Sequence, residues 1–83
     1  MNRMVKVKIY GKEQCAYCKN AKDLAAQLQS QGKLTFEYID IQVAGIGAAE
    51  LSELVGQPVK QVPQIFVNDK PVGGYTQFSK LSF

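Results

Sequence analysis

Val5-Lys6-Val7-Lys8-Ile9-Tyr10-Gly11-Lys12-Glu13-Gln14-Cys15-Ala16-Tyr17-Cys18 is the stretch that decides the fold. Val5, Val7 and Ile9 alternate with Lys6 and Lys8, and Tyr10 extends the run, so the period is two and the segment reads as a strand. Gly11 stops it, and the loop Lys12-Glu13-Gln14 leads to Cys15. From Ala16 to about Gln31 the period changes. Ala21, Leu24, Ala25 and Leu28 fall at i, i+3, i+4 and i+7, on one helical face. Two cysteines three positions apart therefore sit where a loop becomes a helix.

Outward from there, Gly32 fits a helix C-cap. Leu34, Phe36 and Tyr38 alternate with Thr35 and Glu37, and Ile39-Asp40-Ile41 is expected to end a second strand. Ala48, Leu51, Leu54 and Val55 suggest a second, shorter helix stopped by Gly56, with no Ser, Thr, Asp or Asn at its start. Gln64-Ile65-Phe66-Val67 reads as a strand buried on both faces, and Asn68-Asp69-Lys70-Pro71 as a turn. Val72 to Gly73 would be a short returning strand, and Tyr75 to Phe83 a last helix of about two turns. The order is β-α-β-α-β-β-α. A helix joins the first two strands, so they should be parallel with a right-handed crossover. A turn joins the last two, so they should be antiparallel. The expected architecture is α/β: one domain over residues 1–83, with a mixed four-stranded sheet flanked by helices.

Composition narrows the chemistry. A chain of 83 residues has a small core, and small folds often add several disulfides or a metal. This one has two cysteines and no histidine, and a bridge across three positions closes too small a loop to stabilise much. The cysteines are therefore read as chemical. The net charge of +3 can assist binding of a small anion but is no nucleic-acid signature. The N-terminal residues lead into a strand with no apolar run for a signal peptide or membrane span, so the expectation is a soluble, cytoplasmic protein that binds no membrane.

Cys15 opens the helix. First-turn N–H groups without intrahelical partners, the positive end of the macrodipole and the nearby Lys12 and Lys19 all favour its thiolate, the nucleophile of disulfide exchange. Cys18 lies one turn on, on the same side and deeper. It should be less exposed and less acidic, and able to attack a mixed disulfide formed at Cys15. Half of a zinc site is the competing reading, but zinc wants four Cys or His ligands and the chain has neither His nor a second Cys pair. Two inert buried thiols are another. Taken alone, Pro63 is an ordinary strand-start proline and Tyr75 a core aromatic.

Tyr10-Gly11, Cys15-Ala16-Tyr17-Cys18, Val62-Pro63-Gln64-Ile65-Phe66-Val67 and Gly73-Gly74-Tyr75-Thr76 occur in that order from about Val5 to Phe78. Together they resemble a glutaredoxin of the small dithiol type. The resemblance implies a thioredoxin fold and a glutathione-dependent thiol–disulfide oxidoreductase. It makes Cys15 the nucleophile and Cys18 the resolving thiol, and the Val62–Pro63 bond cis and opposite them. Lys12, Tyr17, Gln61, Val62, Pro63, Gly74, Tyr75, Thr76 and Gln77 would bind glutathione, with the Val62 backbone pairing to its peptide and Lys12 facing its glycine carboxylate. Lys60 is a weaker candidate for that last role. Glutathione would be the reducing co-substrate, with no permanently bound cofactor and no metal. Partners would be disulfide-containing or glutathionylated proteins, a ribonucleotide reductase among them, and the protein a monomer.

The chain departs from the family pattern at Ala16, where proline is usual, at Gln61, where Thr is common, and at Gln77, where Asp usually meets the γ-glutamyl ammonium. A neutral amide forms a weaker bond there than a carboxylate. Two other readings compete. One is a thioredoxin-like protein reduced by a flavoprotein reductase. The other is a dimer holding a [2Fe–2S] cluster through cysteine and glutathione thiolates.

Overall fold

The structure is a computed structural model that describes residues 5–59 and 61–81. The two-residue period yields β1 (Val5–Gly11), in which Val7 and Ile9 are buried while Lys6 and Lys8 face outward. The helix α1 (Ala16–Ser30) follows, and β2 (Leu34–Asp40) returns parallel to β1, with Val5 opposite Leu34 and Ile9 opposite Tyr38. Gly32 takes φ +74° beyond the end of α1, and the Lys33 N–H closes back on the Leu28 carbonyl at 3.1 Å. That is the left-handed stop that glycine permits.

Two short helices come next, α2 (Ile41–Ala44) and α3 (Ala48–Val55). The expectation that Ile41 ends the second strand is corrected here. The Asp40 side chain accepts the N–H groups of Gln42 and Val43 at 2.9 and 3.2 Å, so the strand stops at the residue that caps the extra helix. Gly47, with no side chain to offer, precedes α3, consistent with its poorly marked start.

The hairpin β3 (Gln64–Val67) and β4 (Lys70–Gly73) completes a four-stranded sheet in the order β2-β1-β3-β4. β3 runs antiparallel to both neighbours. β4 begins two residues earlier than expected, because Asn68 and Asp69 alone make the turn, at φ 51° and 67°. Pro71 is accommodated because β4 is an edge strand. The last helix, α4 (Tyr75–Ser79), is shorter than the two turns expected; Ser82 and Phe83 lie outside the described residues.

Val7, Ile9, Leu34 and Ile65 of the sheet, Ala21 and Ala25 of α1, and Phe78 of α4 form one buried cluster. Small alanines on the inner face of α1 let it lie close to the sheet. Each of Ile9, Leu34, Ile65 and Phe78 is fully buried, and such a side chain contributes about 1.5–3 kcal/mol. Ile65 and Phe66 point to opposite faces and both are buried, as the continuous apolar run implied; Phe66 packs edge-on against Tyr10 at 5.4 Å. No described helix is long and apolar enough to cross a membrane.

Candidate active site

β1 delivers the chain to the C-terminal end of the parallel pair β1–β2, where sites in α/β sheets form. Cys15 is the N-cap of α1, with extended backbone at φ −143° and ψ 113°. Its Sγ accepts the Cys18 N–H at 3.1 Å, in the place a Ser or Asp oxygen usually takes. The sulfur thus meets one of the unpaired donors of the first turn, at the positive end of the helix. Its thiol faces the Val62 carbonyl at 3.8 Å. The Val62–Pro63 peptide is cis, as the resemblance implied.

Cys18 is buried and both sulfurs are free. Burial pushes the Cys18 thiol up to about 11, and its hydrogen bond with Cys15 adds to the rise; hydrogen bonds with the Lys12 backbone and the Tyr38 hydroxyl work the other way. At neutral pH Cys18 is therefore protonated. Tyr38, half-buried on β2, donates its hydroxyl to the Lys12 carbonyl at 3.2 Å. Its phenol is held up to about 12, first by burial and then by the neighbouring Cys18.

Tyr17, Gln61, Val62, Pro63, Gly74, Tyr75, Thr76 and Gln77 line one open groove of about 540 Å³. The rings of Tyr17 and Tyr75 face each other across it at 6.2 Å, and Tyr17 is largely exposed. Lys12 is not in this groove. It lines a second hollow of about 430 Å³ with Gln14, Cys15, Ile41, Ala48 and Leu51. Val59, Gln61 and Val62 border both, so Cys15 stands beside their shared wall. Lys19 opens instead onto a third hollow with Lys22, Asp23, Tyr38 and Asp40, one that does not include Cys15. Lys60 lies outside the described residues. Gln77 Oε1 accepts the Gly74 N–H at 3.0 Å, so its acceptor already caps α4. Among the described residues no three His, Cys, Asp or Glu side chains gather as a metal site.

Sequence reasoning missed Gln57, Pro58, Val59 and Gln64 in the groove, and Tyr38 beside Cys18. The first three belong to the loop before Pro63, whose path no periodicity predicts. Tyr38 carried a usable signal, its place at the C-terminal end of a strand parallel to the one that leads to the cysteines.

A sheet of order β2-β1-β3-β4 with a Cys-x-x-Cys pair opening its first helix defines a thioredoxin-like thiol–disulfide oxidoreductase. The sequence profile described as Glutaredoxin matches residues 7–72. The chain is 45% identical over 76 residues to the glutaredoxin of Haemophilus influenzae, covering 90% of this chain and 87% of that protein. It superimposes on the reduced glutaredoxin of Escherichia coli with a TM-score of 0.81 at 41% identity, over 89% of this chain and 88% of that one. It is also similar to a buckwheat glutaredoxin solved as a complex with glutathione, at a TM-score of 0.69 and 26% identity, over 89% of this chain and 64% of that one. The chain belongs to the glutaredoxin family.

Proposed function

We propose that this glutaredoxin reduces protein disulfides and glutathione mixed disulfides with electrons from glutathione, Cys15 acting as nucleophile and Cys18 as resolving thiol. One observation carries the division of labour. The Cys15 sulfur is partly exposed and accepts a helix N–H at 3.1 Å, while the Cys18 sulfur is buried with its thiol held up to about 11. One sulfur is accessible and accepts a helix N–H; the other is a protected thiol one turn away.

With a glutathionylated protein, the Cys15 thiolate attacks the glutathione sulfur. The protein leaves as a thiolate that takes up a proton, and Cys15 carries the glutathionyl group. A second glutathione thiolate attacks that disulfide, releasing oxidised glutathione and Cys15. With a protein disulfide, Cys15 forms a mixed disulfide with the protein. Cys18 attacks Cys15, freeing the second protein thiol and leaving a Cys15–Cys18 disulfide, which two glutathione molecules reduce. Glutaredoxin potentials of about −200 to −230 mV allow glutathione to supply those electrons.

The groove beside Cys15 supports the choice of reductant. Its volume, its largely polar lining and its two tyrosines suit a tripeptide, and the buckwheat relative is a glutathione complex. In this reading Val62 pairs with the glutathione backbone as an added strand would, and Tyr17, Gln61, Pro63, Gly74, Tyr75 and Thr76 form its walls. Lys12, in the adjoining hollow, meets the glycine carboxylate. Gln77, already engaged with Gly74, reads the γ-glutamyl ammonium weakly. Both sulfurs and the groove come from one chain, which suits a monomer. Glutathione as donor suits the reducing cytoplasm, and disulfide-bearing proteins, a ribonucleotide reductase among them, are the fitting substrates.

The test is a coupled assay of glutathione-dependent reduction with Cys15→Ser and Cys18→Ser in parallel. Cys15→Ser should abolish both reactions. Cys18→Ser should spare deglutathionylation and remove protein-disulfide reduction. Full turnover with thioredoxin reductase and none with glutathione would overturn the choice of reductant.

A further inference from the structure

Gly11 and Lys12 at the end of β1 and Tyr38 on β2 close around the Cys18 sulfur. A Cβ placed on Gly11 would stand 2.6 Å from Tyr38 Oη and 2.9 Å from Cys18 Sγ, so both atoms press on the same small space. The Tyr38 hydroxyl is within hydrogen-bonding reach of the Cys18 thiol and also donates to the Lys12 carbonyl at 3.2 Å. A phenol has one proton and a rotor that can turn it.

We propose that the Tyr38 hydroxyl steadies the Cys18 sulfur as it turns anionic in the resolving step, swinging its proton from the Lys12 carbonyl to that sulfur. The inference rests on the reading of Cys18 as resolving thiol. In that step the Cys18 Sγ–H loses its proton. The sulfur's electron pair forms a bond to Cys15 Sγ, and the Cys15–substrate S–S bond breaks. The substrate sulfur departs with the bonding pair of that broken S–S bond and takes up the proton that Cys18 gave up. The cysteine pair is oxidised by two electrons and the substrate disulfide is reduced by two.

Burial creates the need for a donor. Cys18 is 0% exposed, so water cannot solvate its developing charge and the protein must. The donors beside it are the Lys12 backbone and the Tyr38 hydroxyl. Tyr38 is suited to the task because its own phenol keeps its proton far above neutral pH. The charged and titratable groups facing it are Cys15 and Cys18 from the α1 start, Lys22 with its ammonium 5.2 Å from the ring centroid, and Asp40 at the end of β2. Glu13, Lys19 and Asp23 line the same hollow.

Tyr38→Phe keeps the ring and its lysine contact and removes only the donor. Two rates are measured on one preparation: protein-disulfide reduction, which needs both cysteines, and deglutathionylation, which needs Cys15 alone. Their ratio is independent of how much of the variant is folded. The two-cysteine rate should fall about tenfold, the size expected for a lost hydrogen bond to a charged sulfur, while the single-cysteine rate stays. In a Cys15→Ser background, the pH midpoint of Cys18 alkylation should move further up when Tyr38 becomes Phe. An equal fall in both rates, or no change in either the ratio or the midpoint, overturns the proposal. Cys18→Ser separates the two layers. If it retains protein-disulfide reduction, the resolving role itself fails; if it loses that reaction while Tyr38→Phe does nothing, only the tyrosine inference fails.

Discussion

Gly11 has no side chain because the space beside it is filled by chemistry. A methyl group there would meet Tyr38 Oη at 2.6 Å and Cys18 Sγ at 2.9 Å, closer than packed atoms tolerate, and Cys18 Cβ at a tight 3.0 Å. Gly11→Ala must therefore displace the Cys18 sulfur or the β2 tyrosine. Overpacking of this kind costs about 1–3 kcal/mol, so the urea midpoint should drop, and protein-disulfide reduction should fall more than deglutathionylation. Equal rates with an unchanged midpoint would show that the site yields freely. At this scale the sequence was informative where chemistry is local. Cys15 and Cys18 share one helical turn, so spacing alone placed them. Periodicity made Gly11 only a strand stop, because its neighbours Cys18 and Tyr38 come from elsewhere in the chain. Lys19 fits the local rule of a nearby positive charge, yet it opens onto a hollow that does not include Cys15.

Elements were legible where hydrophobic periodicity ran long, as in β1 and α1, and less so where a polar side chain decided the boundary. Asp40 continues the β2 pattern by sequence, yet its carboxylate caps α2, a competition that alternation cannot display. The β3–β4 turn is similar. Four turn-forming residues suggested a long connection, but Asn68 and Asp69 suffice, because both adopt positive φ. The Asn68 side chain also accepts the Lys6 N–H at 3.0 Å, while its own N–H reaches the Lys6 carbonyl at 2.8 Å, extending the β1–β3 ladder past Val67. Asp69 has no such tie among the hydrogen bonds of the turn and sits at φ 67°. Asp69→Gly relieves that conformation and makes the Asn-Gly pair that two-residue hairpins favour. We expect a gain of about 0.5 kcal/mol, partly offset by the greater freedom of glycine in the unfolded chain, and a higher melting temperature with activity unchanged. A lower melting temperature would mean that the aspartate carboxylate stabilises the turn.

Across the whole molecule, the buried Cys18 thiol links redox chemistry to the pH dependence of stability. Cys18 is held at about 11 in the folded protein, against an ordinary value of 9.0. From about pH 9 to about pH 11 the unfolded chain has released this proton while the folded chain retains it. The folded state then binds more protons, so stability falls as pH rises through that window and levels beyond it. The burial that protects the thiol at neutral pH thus weakens the fold in alkali, by a difference on the order of 2 kcal/mol. Tyr38, held at about 12 against 10.0, continues the same trend higher up. Urea midpoints measured under reducing conditions at about pH 8 and about pH 10.5 should therefore separate widely for the native chain. Cys18→Ala leaves a cavity and lowers both midpoints, but it has no thiol to titrate, so its two midpoints should lie closer together. An equal spacing in the variant would place the alkaline loss elsewhere and would mean that the Cys18 proton is no harder to remove in the folded protein than in the open chain.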